Sequence, residues 1–273
     1  MTTTMSLTLL SPDRPPTLLA ATRAVAERTI YKYLRTPQII VFGVIQSALF
    51  LLIFRYVFGG AIGAGGVAYV NFLVPGFIAT NVLFSNINTT TGIAEDAAAG
   101  FTDRLRSLPI PRVSVLAGRN LADAGLLSIV VVVTAVVGFA VGWRPGGSAA
   151  DLALAFVLCL VYGLALGWLF MVLGLVASNA QAAQGLSMIV FPLTFVSSAY
   201  VPVATMPGWM QPFARHQPVT AMVDAIRSLS LGDAGKAVLP ESTGHYVVTS
   251  LLWFVVIVAV AAPLAIRRFT RSG

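Results

Sequence analysis

The chain has 273 residues, 57% of them hydrophobic and only 10% charged, and its formal net charge is +7. A soluble domain carries about 25% charged residues, so composition excludes an ordinary water-soluble protein and predicts an all-α membrane protein. The positive charge does not signify nucleic acid: the basic residues are split among separated stretches between long apolar runs, where they act as orientation signals beside anionic lipid.

The first predicted element, 17–36, is an amphipathic helix. Leu18, Leu19, Ala21, Val25, Ala26, Thr29, Ile30, Tyr33 and Leu34 share one broad arc, and Glu27, Arg28, Tyr31, Lys32 and Arg35 fall opposite. It is too charged to cross a bilayer and should lie in the interface. Pro37 then turns the chain into the first of six apolar stretches, 39–58, 69–93, 121–143, 152–177, 184–201 and 247–266. Each reaches or approaches the roughly 20 helical residues that a hydrocarbon core of about 30 Å requires. The first 38 residues lack a secretory signal, so the first span is expected to direct insertion.

Charge sets the expected orientation. Twelve of the 17 Lys and Arg lie before the first span, after the second, or after the sixth. Basic residues are retained on the cytoplasmic side, so both termini are expected there. The gap 178–183 carries no charge and is placed inside by alternation alone.

Between the second and third spans, Phe101, Leu105 and Leu108 form a short apolar stripe at i, i+4 and i+7, with Asp103, Arg104 and Arg106 on other faces; Pro109 and Pro111 stop the helix. A helix at 100–108 held between two spans is either a surface loop or a knob that seats in a groove on a soluble partner. The second span is polar on one side through Asn81, Ser85 and Asn88, and the fifth adds Thr194, Ser197 and Ser198. Such side chains face protein or water rather than lipid; helix packing and the lining of a substrate path both fit.

On the opposite side, 202–233 predicts two short helices. Pro207 sits near the first turn of one, and Trp209 is suited to headgroup level. After Pro212, the run 219–230 puts Val219, Met222, Val223, Ile226 and Leu229 on one face, with Asp224 and Arg227 off it, Pro218 just before it and Gly232 as C-cap. Twelve residues are too few to cross, so the pair reads as re-entrant or interfacial.

Much chemistry is missing. No phosphate-binding loop surrounds Lys32 or Lys236, His216, His245 and Cys159 have no metal-site spacing, and no Gly-x-Ser-x-Gly elbow occurs. Cys159, flanked by Leu158 and Leu160, reads as a packed thiol. An enzyme working alone is not expected, and the absence of ionisable residues from the span centres argues against an ion-coupled carrier. Energy for transport would have to arrive from outside the membrane domain.

Two motifs carry a resemblance over nearly the whole chain: GFTDRLRSLPI at 100–110 with GRNLAD at 118–123, and PGWMQPFARHQPVT at 207–220 with DAIR at 224–227. Together they resemble the membrane subunit of type-2 ABC exporters, the bacterial drug-resistance permeases typified by daunorubicin exporters. Such permeases usually carry a Glu early in the first motif; here Glu95 and Asp96 precede three alanines. The resemblance implies two six-helix permeases, identical or closely paralogous, paired across their first, second and fifth spans in the cytoplasmic membrane. It implies that the coupling helix 100–108 and the interface helix 17–36 dock a separate ABC ATPase, which holds the ATP and Mg²⁺; no cofactor is expected in this chain. A hydrophobic or amphipathic compound would leave by alternating access. A polysaccharide or lipid-linked polymer is the alternative cargo; such permeases tend to line their channel with aromatic residues, whereas the candidate lining here is small and polar with Phe72, Phe77, Phe84, Phe191 and Phe195 interspersed, which slightly favours a small molecule. A secondary carrier needing no ATPase is the third reading.

Overall fold

A computed structural model describes residues 17–60, 66–101, 104–105 and 109–271. Those residues form ten α-helices, with no strand among them. α1 (Leu18–Arg35) is capped by the Thr17 hydroxyl, which accepts from the Ala20 amide at 3.3 Å, and it ends with Lys32 and Arg35 in the last turn, where cations suit the helix dipole. Pro37 opens α2 (Pro37–Ile53), which runs on as a π-helical turn, Phe54–Phe58. α3 (Tyr69–Ala98) and α4 (Arg112–Ala140) are the next two rods. α5 (Ala149–Val176) starts in a capping box, the Ser148 and Asp151 side chains each accepting from the other's amide.

Four helices are long and apolar enough to cross a membrane among the described residues: α3, α4, α5 and the last helix, α10 (Thr243–Arg271). α2 is apolar but shorter. Thirty residues of helix measure about 45 Å, well beyond the hydrocarbon thickness, so α3 and α4 run past it together. The sequence reading ends the second span at 93 and starts the third at 121; the helices instead continue to Ala98 and begin at Arg112, taking up most of the polar gap.

The fifth stretch, expected as one helix over 184–201, is broken. α6 (Ala180–Ser187) stops at Met188, and α7 (Val190–Phe195) resumes after it. Pro192 explains the break, because it has no N–H to return to the Met188 carbonyl, and that carbonyl takes the Phe191 amide at 3.1 Å instead. After Phe195 the chain turns through Ser197–Tyr200 rather than continuing as helix. Two short helices follow, α8 (Gln211–His216) and α9 (Pro218–Leu231).

α3 is the axle of the fold, buried along most of its length against α4, α5, α6 and α9. The main core gathers Phe72, Leu73, Val82, Leu127, Tyr162, Phe170, Met222 and Ile226 around it. A second, smaller core joins Ile93, Val115, Leu116, Met171, Val172, Ala265 and Phe269 where α3, α4, α5 and α10 converge. α1 lies along α4. The bundle therefore has two ends, one carrying α1 and the other carrying α9.

Candidate functional site: a cavity between two buried ion-pair clusters

At the α1 end, the overhanging turns of α3 and α4 meet the interface helix in a buried charge cluster. The Arg119 side chain is 6% exposed, and its guanidinium reaches Asp96 at 3.2 Å, both Asp123 oxygens at 3.3 Å and the Asn88 carbonyl at 3.4 Å. Asp123 also accepts from the Thr89 hydroxyl at 2.7 Å and from the Tyr33 phenol of α1. Burial, reinforced by the Asp123 charge, pushes the Tyr33 phenol up from its ordinary value, so it remains a donor. Arg28 and Lys32 approach Asp96 at 3.8 Å each, and Lys32 meets Glu95 at 3.4 Å. Of the expected interface-helix residues, Arg28 and Lys32 thus join α1 to the end of α3. Glu27 pairs with Arg23 on the surface at 2.7 Å, and Arg35 is exposed.

The coupling segment grows from this cluster. Phe101 lies under the Arg28 guanidinium, 3.5 Å from ring centroid to Cζ, which is close cation–π geometry. Leu105 is half-buried against the second core, and Arg104 is exposed. Asp103, Arg106 and Leu108 lie outside the described residues. The apolar stripe expected to enter a partner's groove therefore leans, at Phe101 and Leu105, on the chain's own helices.

At the α9 end, Arg227 is fully buried. Its Nε donates to the Phe72 carbonyl at 3.1 Å, Nη1 to Asp224 at 3.0 Å, and Nη2 to the Ser198 and Ala199 carbonyls at 2.7 and 3.1 Å; the guanidinium plane covers the Phe72 ring at 3.7 Å. Only Arg presents donors in so rigid a fork; here it serves the Ser198 and Ala199 carbonyls, freed past the end of α7, together with the Phe72 carbonyl of α3. The Ser198 hydroxyl donates to Asp224 at 2.7 Å, and Gln217 caps α7 by donating to the carbonyls of Leu193 and Val196 at 3.1 and 2.7 Å. α9 is amphipathic in sequence yet surrounded by protein, with Asp224 alone half-buried after Pro218. Its polar side meets α3 and the Ser198 turn rather than water. Trp209 is 81% exposed, and Pro207 lies beside it in the turn before α8.

Between the two clusters lies a cavity of about 320 Å³, walled by α2, α3, α4, α6 and α7. Asn81, Ser85 and Asn88 line it from α3, Gln46, Ser47 and Phe50 from α2, and Gln184, Met188, Phe191 and Phe195 from the broken helix. Among the described residues, no charged side chain lines it. Thr194, Ser197 and Ser198 do not reach it; Thr194 and Ser197 bond to backbone within their own turn and Ser198 to Asp224, while Phe191 and Phe195 occupy the lining. Asn81 ties the wall together, accepting from Ser47 at 2.9 Å and donating to Thr134 at 2.8 Å. Toward the α9 end, Phe54, Phe77, Phe195 and Tyr200 pack as a ring cluster, with Tyr200 at 4.9–5.2 Å from each of the other three. Phe72, expected in the lining, lies under Arg227 instead.

The sequence pattern takes Arg119 only as one of the orienting charges, Asp123 only as part of a motif, Tyr33 as part of the apolar arc of the first helix and Asp96 as the acid preceding three alanines; nothing local joins them, with Thr89, into one cluster. An Arg and an Asp one helical turn apart were the available signal.

Known proteins share this chain's pattern. A family model described as ABC-2 type transporter matches residues 20–231. The chain is 33% identical to the daunorubicin resistance ABC transporter permease protein DrrB1 of Streptomyces coeruleorubidus, over 97% of this chain and 93% of that protein. It is 24% identical to the probable doxorubicin resistance ABC transporter permease protein DrrC of Mycobacterium tuberculosis, over 97% of each chain. To the probable multidrug ABC transporter permease YbhR of Escherichia coli it is 26% identical, over 75% of this chain and 53% of that protein. With the match to the family model covering most of its length, this membrane-embedded chain belongs to the ABC-2 type transporter family.

Proposed function

We propose that this chain is the permease half of an ATP-driven exporter that moves a hydrophobic or amphipathic compound out across the cytoplasmic membrane. The observation that carries the reading is the cavity, where among the described residues rings alternate with amides and hydroxyls and no charge appears. Such a lining suits a flat apolar compound with a few polar substituents, and the names of the daunorubicin and doxorubicin resistance relatives agree with it.

In this reading all 273 residues form one transmembrane domain crossing the bilayer six times. The α1 end and both termini face the cytoplasm, the fifth crossing uses the broken α6–α7 segment, and α8 and α9 form a re-entrant pair. The family implies association with an ABC ATPase and a second permease; here the ATPase would bind ATP and Mg²⁺ and grip the coupling segment beside α1. Because Phe101 and Leu105 lean on the permease itself, the outer face around Arg104 is the part offered to that partner. A push there reaches Asp96 and Arg119, and Arg119 contacts the backbone of Asn88, whose side chain lines the cavity.

A polymer exporter is the second reading, favoured by the ring cluster around Tyr200. Its rings are gathered at one end rather than spread as a continuous band, which favours the smaller cargo. The test is reconstitution with the ATPase that co-purifies with the chain. An anthracycline should raise ATP hydrolysis several-fold and accumulate in inside-out vesicles. Stimulation by a lipid-linked oligosaccharide and by no anthracycline would establish the polymer reading. Ion-driven transport without the ATPase would refute both.

A further inference from the structure

The ring cluster and the Arg227 cluster are consecutive in the chain. Arg227 holds the carbonyls of Ser198 and Ala199, and the next residue, Tyr200, is the ring against which Phe54, Phe77 and Phe195 all pack. Tyr200 is 4% exposed, lines the cavity, and has its own carbonyl held by the Tyr69 hydroxyl at 3.2 Å. Nothing helical holds this stretch, because α7 has already ended at Phe195. Its position depends on side-chain donors from α9 and α3.

We infer that Tyr200 closes the outer end of the transport cavity and that Arg227 is the positioning residue that keeps it there. A guanidinium suits the task because it serves three carbonyls from two chain segments while stacked on Phe72. Asp224 holds the fork from the third side and is itself tied to the Ser198 hydroxyl, so the turn is grasped through both backbone and side chain. Gly76 permits the grasp: a Cβ at that position of α3 would run into the Ala199 carbonyl. Opening the outer end then requires the 198–200 turn to leave Arg227 as a unit, taking the Tyr200 ring out of its stack. In this way a cluster that lines no part of the cavity decides whether it communicates with the outside.

This inference rests on the reading of the cavity as the transport path, but the two fail separately. Sidedness of labelling requires no cargo, and stimulation of ATPase activity by cargo requires no labelling. The native cysteine, Cys159, is fully buried, so a cysteine introduced at Ser85 in the cavity wall reports alone. The full permease with its ATPase, in membranes without nucleotide, is treated with a membrane-impermeant maleimide from either side. The parent Ser85→Cys protein should react from the cytoplasmic side and resist the reagent from outside. Adding Tyr200→Ala or Arg227→Lys should raise the outside rate by at least about tenfold, as a rare open population becomes common. Tyr200→Phe, which keeps the ring, should stay protected. Should Arg227→Lys fail to co-purify with the ATPase, Gly76→Ala keeps the arginine but drives a methyl group against the Ala199 carbonyl and against Nη2 of Arg227, 3.1 Å away, so it breaks the same grasp from α3 and should give the same exposure. Rapid outside labelling of the parent, or Tyr200→Ala as well protected as the parent, overturns the closure. Exposure by Tyr200→Ala with protection retained in assembled Arg227→Lys or Gly76→Ala overturns the role of Arg227.

Discussion

Gly92 faces the guanidinium of Arg119 with no room for a methyl group between them. The contact sets how closely α3 and α4 approach where they overhang the membrane, and it lets Arg119 reach Asp96, Asp123 and the Asn88 carbonyl at once. Gly92→Ala should therefore displace the guanidinium. Overpacking of this kind costs roughly 1–3 kcal/mol, so the purified permease should melt several degrees lower, and coupling between cargo and ATP hydrolysis should weaken. An unchanged melting point would mean that the cluster yields without cost.

Removing one partner of the cluster should cost more than removing both. Arg119→Met leaves the largely buried Asp123 carboxylate without its cation, while Asp96 keeps Arg28 and Lys32; breaking a fully buried pair typically destabilises by about 3–5 kcal/mol, and this partly exposed one should cost somewhat less. The double variant Arg119→Met/Asp123→Leu should recover much of that loss in thermal unfolding while still failing to couple. Recovery of coupling together with stability would reduce the cluster to a scaffold.

Leu105→Asp should abolish export and cargo-stimulated ATP hydrolysis while leaving membrane insertion intact. The structural reason is that the side chain packs against the second core, so a carboxylate there lifts the coupling segment from its base. Phe101→Ala, which removes the ring beneath Arg28, should weaken coupling in the same direction and less severely. Normal export from Leu105→Asp would refute the coupling assignment.

Asn81→Leu should alter cargo handling more than assembly. The change deprives the Ser47 hydroxyl of its acceptor in the cavity wall, a loss on the order of 1–3 kcal/mol. The cargo concentration giving half-maximal ATPase stimulation is the measurement, with a shift of roughly tenfold expected from such an energy. A shift confined to the maximal rate would place Asn81 outside cargo contact.

Orientation has a direct test. A cysteine at Arg104 should react with an impermeant reagent only from the cytoplasmic side, against a background kept silent by the burial of Cys159. Labelling in intact cells would remove the coupling segment from reach of any ATPase.

Sequence periodicity located the long rods well, because α3, α4, α5 and α10 are apolar for longer than any soluble helix needs to be. The helices overrun the expected spans, because the polar residues of the 95–119 stretch are carried largely on helix rather than on loop. The fifth stretch read as continuous because Pro192 sits in an unbroken apolar run; hydropathy cannot register a missing N–H. Asn81, Ser85 and Asn88 were legible as one helical face, and they do share a cavity. Thr194, Ser197 and Ser198 were grouped by the same rule, but the helix that would have put them on one face ends before they can share it. Arg227 showed only as a charge beside an apolar stripe, because the carbonyls it serves lie about 155 and 29 residues away in sequence, a distance that local pattern does not span.

The Pro192 break gives the cavity walls of unequal stiffness. On one side stands an unbroken thirty-residue rod packed along its length; on the other, pieces of eight and six residues meet at a joint where regular hydrogen bonding is interrupted. Guests of different girth will be met by yielding of the jointed side while the rod keeps its shape. Under the proposed cycle, tolerance toward varied molecules can then coexist with a fixed line of force from an ATPase, since the two demands fall on different helices.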